Sequence, residues 1–174
     1  MGVANTHLYV GVNYHEYKQV NHEHFMASFL NFSFFSLVLS IILLLNLNVI
    51  EDKNLIINGG TNNFTKTNQT PEEISNEIFE IVEMCKRGGL KHIFVSSITC
   101  RPSYQLQINE VNKLLEKNAG YYGCDYIDNV CIGETHLRND GVHLNNQGIT
   151  ILANNFLNNL NRPSVIYPFS SIWD

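Results

Sequence analysis

Positive charge is scarce in this chain. Eleven Lys and Arg stand against sixteen Asp and Glu, for a formal net charge of −5 and a pI near 5.8. No basic cluster is present to neutralise a phosphate backbone, which excludes a general nucleic-acid-binding surface. Cysteine is sparse as well. Cys85, Cys100, Cys124 and Cys131 form no C-x-x-C pair, so zinc-ribbon and thioredoxin-like readings lose their support. In an oxidising compartment Cys124 and Cys131 could bridge, and free buried thiols are the equal alternative. Residues 1–24 carry one cation, Lys18, and read as a polar tail. The absence of a cationic leader and of a small-x-small pattern argues against a cleaved signal peptide. His15, His22, Glu23 and His24 follow no tight ligand spacing, so no metal is expected there.

What is present looks globular. At 174 residues, 44% hydrophobic and 16% charged, the chain fits one domain, or a domain of about 120 residues with an appendage. The abundance of Asn reads as compositional bias rather than chemistry. The stretch 25–45, FMASFLNFSFFSLVLSIILLL, has no charged residue. About 20 such residues span a bilayer core as a helix, so a hydrophobic, candidate transmembrane helix is expected, with a buried core helix as the alternative. Lys18 before the run and Lys53 beside Glu51 and Asp52 after it leave the orientation open. Asn63-Phe-Thr and Asn68-Gln-Thr would be glycosylation acceptors if this part were lumenal.

From Lys53 onward, short apolar runs alternate with helical periods. Asn54–Asn58 reads as a buried strand stopping at Gly59-Gly60. Thr70 as N-cap and Pro71 at the first position open a helix with the apolar face Ile74, Ile78, Ile81, Val82 and Cys85, ended by Gly88-Gly89. Leu90–Ile98 is the next strand, stopped by the loop Thr99–Pro102. Leu106, Ile108, Val111, Leu114 and Leu115 mark a second helix, Tyr121–Ile127 a third strand, and Ile149–Leu160 a closing helix. This alternation predicts an α/β fold: a three-layer parallel sheet with helices on both faces, its site beyond the carboxyl ends of the strands. The domain is placed at 50–162, with a tail over 163–174.

Before the closing helix stands His136-Leu-Arg-Asn-Asp-Gly-Val-His-Leu-Asn-Asn-Gln-Gly148. A carboxylate at Asp140 can orient an imidazole at His143, which can then carry protons to and from a nucleophile, as a hydrolytic site requires. The plainer reading is a helix start capped by Asn145 or Asn146 with a surface His beside it. A third has His136, Asp140 and His143 binding a metal for phosphoester hydrolysis.

Two motifs in order carry a family resemblance. Ile57-Asn-Gly-Gly-Thr-Asn-Asn-Phe64 resembles the strand-then-G-x-N-D block of the SGNH (GDSL-like) hydrolases, and Asp140-Gly-Val-His143 resembles their D-x-x-H block. The likeness covers roughly residues 50–162 and implies an SGNH-hydrolase/flavodoxin-like sheet, a small-molecule ester substrate and no cofactor. It implies that His143 is the general base, Asp140 its orienting carboxylate, and Asn62 an oxyanion-hole donor. Gly60 would provide the sharp turn and Asn63 would support the loop where the family usually has Asp. The family's Gly-Asp-Ser block is missing, and Ser28, Ser33, Ser36 and Ser40 all fall in the apolar run. The expectation is therefore an N-terminally truncated, catalytically impaired esterase domain whose sheet lacks its first strand. The alternative is a non-enzymatic, membrane-anchored interaction domain or a decayed gene product.

Overall fold

The computed structural model describes residues 8–11, 25–28, 54–61, 63–66 and 69–161. In chain order the elements are β1 (Leu8–Gly11), β2 (Phe25–Ser28), β3 (Asn54–Asn58), α1 (Asn63–Lys66), α2 (Pro71–Arg87), β4 (His92–Ser96), α3 (Gln105–Tyr121), β5 (Asp125–Ile127) and α4 (Asn146–Leu160). Single 3-10 turns at Pro102–Tyr104 and Glu134–His136 precede α3 and the Asp140 loop. The five strands form one parallel sheet in the order β1-β2-β3-β4-β5.

Alternation along the strands divides the core in two. Leu55, Ile57, Ile93 and Val95 face the helices α2 and α3, joining Ile74, Ile78, Phe79, Ile81, Val82, Ile108, Val111 and Leu115. Ile56, Phe94 and Ile127 face the opposite way and meet Leu152 and Phe156 of α4. Helices therefore cover both faces of a parallel sheet, as the element pattern predicts.

Local chemistry explains the helix limits. Thr70 Oγ1 accepts the Glu73 N–H at 3.2 Å while Glu73 Oε2 accepts the Thr70 N–H at 2.8 Å, a reciprocal box around Pro71. At the other end the Gly88 and Gly89 N–H groups donate to Met84 and Lys86, and Gly89 takes φ +92°. The buried stripe of α3 is Ile108, Val111, Leu115 and Ala119. Leu106 is off this stripe, 79% exposed, because two residues before Ile108 is about 200° around the helix. The two glycosylation sequons also meet structure here, since Asn63 begins α1 and Thr70 caps α2.

Two expectations are corrected. Phe25–Ser28, the start of the apolar run, is a strand hydrogen-bonded between β1 and β3, not part of a helix. A short uncharged apolar run has no periodicity to separate strand from helix, which is why its pattern misleads. Residues 29–45 lie outside the described residues, and among the described residues no helix is long and apolar enough to cross a membrane. The sheet also does not start at Asn54: two strands precede it, one from the stretch read as a polar tail. Of the two readings left open for Cys124 and Cys131, the structure has free thiols. Cys124 is buried, its thiol against Ala119 O, and Cys131 is exposed near Asn155 Nδ2.

Candidate active site

The loops after β3, β4 and β5 leave the carboxyl edge of the sheet, where α/β proteins build their sites. In the first, the Asn63 N–H donates to Gly60 O at 3.1 Å, closing a tight turn. Gly60 has φ +102°, and a Cβ there would lie 2.8 Å from Ile98 Cδ1 and 3.3 Å from Ile74 Cγ2. Conformation and space both demand glycine. Asn62, the expected oxyanion donor, lies outside the described residues. Its neighbours on both sides are tied down: Thr61 O accepts from Arg101 Nη1 at 3.0 Å, and Asn63 Nδ2 donates to Gln69 Oε1 at 2.6 Å and Glu77 Oε2 at 3.1 Å. Gln69 Nε2 closes the triangle on Glu77 Oε1. A carboxylate does support this loop, but it comes from α2 and not from position 63.

The second loop is fixed from α3. Asn112 spans Ile98, accepting its N–H at 2.8 Å and donating to its carbonyl at 2.9 Å. Ser96, Ser97 and Asn129 are almost wholly buried and bonded to one another: Asn129 Nδ2 donates to Ser96 Oγ, and the Asn129 N–H donates to Ser97 Oγ, both at 2.8 Å. Asn155 Nδ2 of α4 donates to Asn129 Oδ1 at 2.9 Å. This network ties β4, the segment after β5 and α4 together, and satisfies polar groups that would be costly if unpaired. The Cys100 thiol is pushed up by burial and then by the Glu134 charge.

The third loop carries Asp140 and His143. Leu137 and Leu144 form an antiparallel bridge, Arg138 N–H donates to His143 O at 2.7 Å, and Asn145 N–H donates to His136 O at 2.9 Å. At the tip Gly141 turns with φ +66°. Asn145 caps α4, accepting the Gly148 N–H at 3.0 Å while donating to Thr135 O and Leu137 O. Within this frame Asp140 Oδ2 lies 2.7 Å from His143 Nδ1, and Asp140 Oδ1 accepts the N–H groups of Val142 and His143, each at 2.9 Å. The His143 N–H first, then its imidazole, then the Val142 N–H hold the Asp140 carboxyl well below the usual carboxylate range. Both side chains are about half exposed, at 49% for His143 and 47% for Asp140. An ionised Asp140 facing Nδ1 favours the tautomer with the proton on Nδ1 and the lone pair on Nε2.

The other candidates are placed as follows. His136 Nδ1 accepts the Gly133 N–H at 3.1 Å within its own turn. Among the described residues, no three His, Cys, Asp or Glu side chains gather as a metal site, so the structure does not assemble His136, Asp140 and His143 into one. His15, His22, Glu23 and His24 lie outside the described residues. Ser28 is not in a helix: it ends β2 at the carboxyl edge, opposite Asn58 of β3. Ser33, Ser36 and Ser40 lie outside the described residues. Arg101, Glu77 and Asn112 escape a motif-based reading. The signal that could have found Arg101 was its rarity, one of few cations and set in a loop leaving a strand end.

No protein-family model and no curated protein matches this chain. Its fold is similar to solved structures. One is a member of the lipolytic protein G-D-S-L family from Veillonella parvula, 18% identical with a TM-score of 0.64 over 84% of this chain and 83% of that one. A putative acylhydrolase from Bacteroides fragilis gives 16% identity and a TM-score of 0.62, covering 75% and 70% respectively. A GDSL-like lipase from Bacteroides thetaiotaomicron gives 16% and 0.58, covering 74% and 71%. The fold is therefore the GDSL-like, SGNH-type α/β fold that the two motifs imply.

Proposed function

We propose that this chain is an ester-hydrolase domain in which Asp140 and His143 are the acid–base pair and Asn62 is the oxyanion donor. Asp140 holds the Nδ1–H of His143. Nε2 takes a proton as a hydroxyl oxygen attacks the ester carbonyl, and returns it to the departing alkoxide. Asn62 would donate its amide N–H to the developing oxyanion, between two neighbours already fixed in place. The observation that carries the reading is the 2.7 Å Asp140–His143 contact, with Asp140 Oδ1 held by two backbone N–H groups. A carboxylate held in this way is preorganised to favour a charged imidazole.

Impairment is part of the proposal. The chain lacks a Gly-Asp-Ser block, and among the described residues no hydroxyl or thiol hydrogen-bonds to the His143 ring. Members of a triad act as a unit, so turnover falls orders of magnitude below that of a complete site. The test is hydrolysis of a short aryl ester by the purified chain, by Asp140→Asn and by Ser28→Ala. Turnover lost in Asp140→Asn supports the pair; equal turnover in parent and Asp140→Asn refutes it. Loss in Ser28→Ala supports an acyl-enzyme route through Ser28, and retention excludes Ser28 as the nucleophile.

A further inference from the structure

We infer that Arg101 is a positioning residue for this site, acting through Thr61 on the loop that contains Asn62; the inference rests on the hydrolase reading above. Its guanidinium makes two contacts that face the same loop. Nη1 donates to Thr61 O at 3.0 Å, and Cζ lies over the Tyr104 ring, 5.2 Å from its centroid. Tyr104 in turn stacks on Phe64, with centroids 5.8 Å apart and planes 18° from parallel. Arg101, Tyr104 and Phe64 thus form a continuous run of contacts, cation to ring to ring. It joins the loop after β4 to both ends of the Thr61–Phe64 turn.

The opposite side of the turn is held independently, by Glu77 and Gln69 on Asn63. Below it, Gly60 rests on Ile98, whose backbone Asn112 grips at both polar atoms. Among the described residues, Arg101 is the side chain that donates to the carbonyl immediately before Asn62. A donor to an oxyanion is effective when it is already aimed and needs no reorganisation during the reaction. Displacement of such a group by about 1 Å can cost a hundredfold in rate. Arginine suits this role because its planar fork can stack and donate at once, which the point charge of lysine cannot do.

The test compares Arg101→Ala, Arg101→Lys and Tyr104→Leu with the parent. It uses steady-state ester hydrolysis, thermal unfolding, and hydrogen exchange at the Asn63 amide, which reports the Gly60–Asn63 turn. Arg101→Ala should lower kcat about tenfold or more with KM within about twofold, and speed Asn63 exchange about tenfold. Amides in the β3 and β4 core should be unmoved. Arg101→Lys should fall between, and Tyr104→Leu should mimic the loss while leaving the charge in place. Unchanged Asn63 exchange in Arg101→Ala overturns the inference, as does faster exchange with unchanged kcat. Loss of kcat that only tracks global unfolding also overturns it, by showing a structural tie. A parent with no turnover instead refutes the hydrolase reading, and exchange still decides whether Arg101 orders the loop.

Discussion

Replacing Gly148 with Ala sets two known effects against each other at the base of the Asp140–His143 loop. Gly148 is in the first turn of α4 and its φ is not positive, so Ala should gain up to about 1 kcal/mol from helix propensity. Space decides otherwise. A Cβ there would overlap the carbonyl oxygen of His136, well under the 3.0 Å that real Cβ atoms keep, and would crowd His136 Cβ and Leu144 Cδ2 at 3.2 Å. The obstacle is backbone, and that carbonyl also accepts the Asn145 N–H at 2.9 Å. Overpacking of this kind costs about 1–3 kcal/mol, and straining the hydrogen bond adds about 1. The net loss is about 1–3 kcal/mol, a fall in Tm of roughly 2–12 °C for a domain of this size. Gly120 in α3 has nothing within 4 Å of its would-be Cβ, so Gly120→Ala should hold or raise Tm. Differential scanning calorimetry of both variants reads the contrast. A Gly148→Ala Tm at or above that of the parent would refute the claim that close approach of the loop is why glycine stands there.

Three further outcomes follow from the same geometry. Asn63→Asp removes the donation to Glu77 and Gln69 and sets two carboxylates about 3 Å apart, costing about 1.5–3 kcal/mol in chemical denaturation. Adding Glu77→Gln should recover much of the loss, and additive effects in the cycle would deny the contact. The Asp140 carboxyl, observed by NMR titration, should have its midpoint below the ordinary value of about 3.9. Because its folded pKa is lowered, its contribution to stability is present above the unfolded pKa and disappears as pH falls through the folded one. A midpoint at or above 4 would mean that the Val142 and His143 N–H groups do not hold it. Asn112→Ala orphans both polar atoms of Ile98 and should cost roughly 2 kcal/mol or more; a loss under 0.5 would show that water replaces the clamp.

The sequence was most legible where one chemical rule sets the outcome. Thr70-Pro71-Glu-Glu73 reads as a capped helix start, and the structure contains that box. Ile74, Ile78, Ile81, Val82 and Cys85 share a face at helical spacing, and all five are buried. Gly60 reads as a sharp turn and takes φ +102°. Asp140 and His143, three apart around a glycine, are in contact. Legibility failed where the deciding partner is distant in sequence. No local pattern shows that Phe25–Ser28 pairs with Leu55–Asn58, since an uncharged run fits a membrane helix and a central strand equally. Nor could spacing show that Glu77 meets Asn63 across 14 positions, or that Arg101 meets Thr61 across 40. Those contacts are made by the crossover that brings successive strand ends to one edge of the sheet.

The most direct test of an Asp140–His143 acid–base pair is the rate of aryl-ester hydrolysis by the parent and by His143→Gln, measured side by side on folded samples of matched Tm. Gln keeps much of the side-chain volume but cannot cycle a proton. The pair predicts weak, saturable turnover in the parent and loss of at least about a hundredfold in His143→Gln. Turnover that survives the substitution, or a parent no faster than buffer, would contradict it.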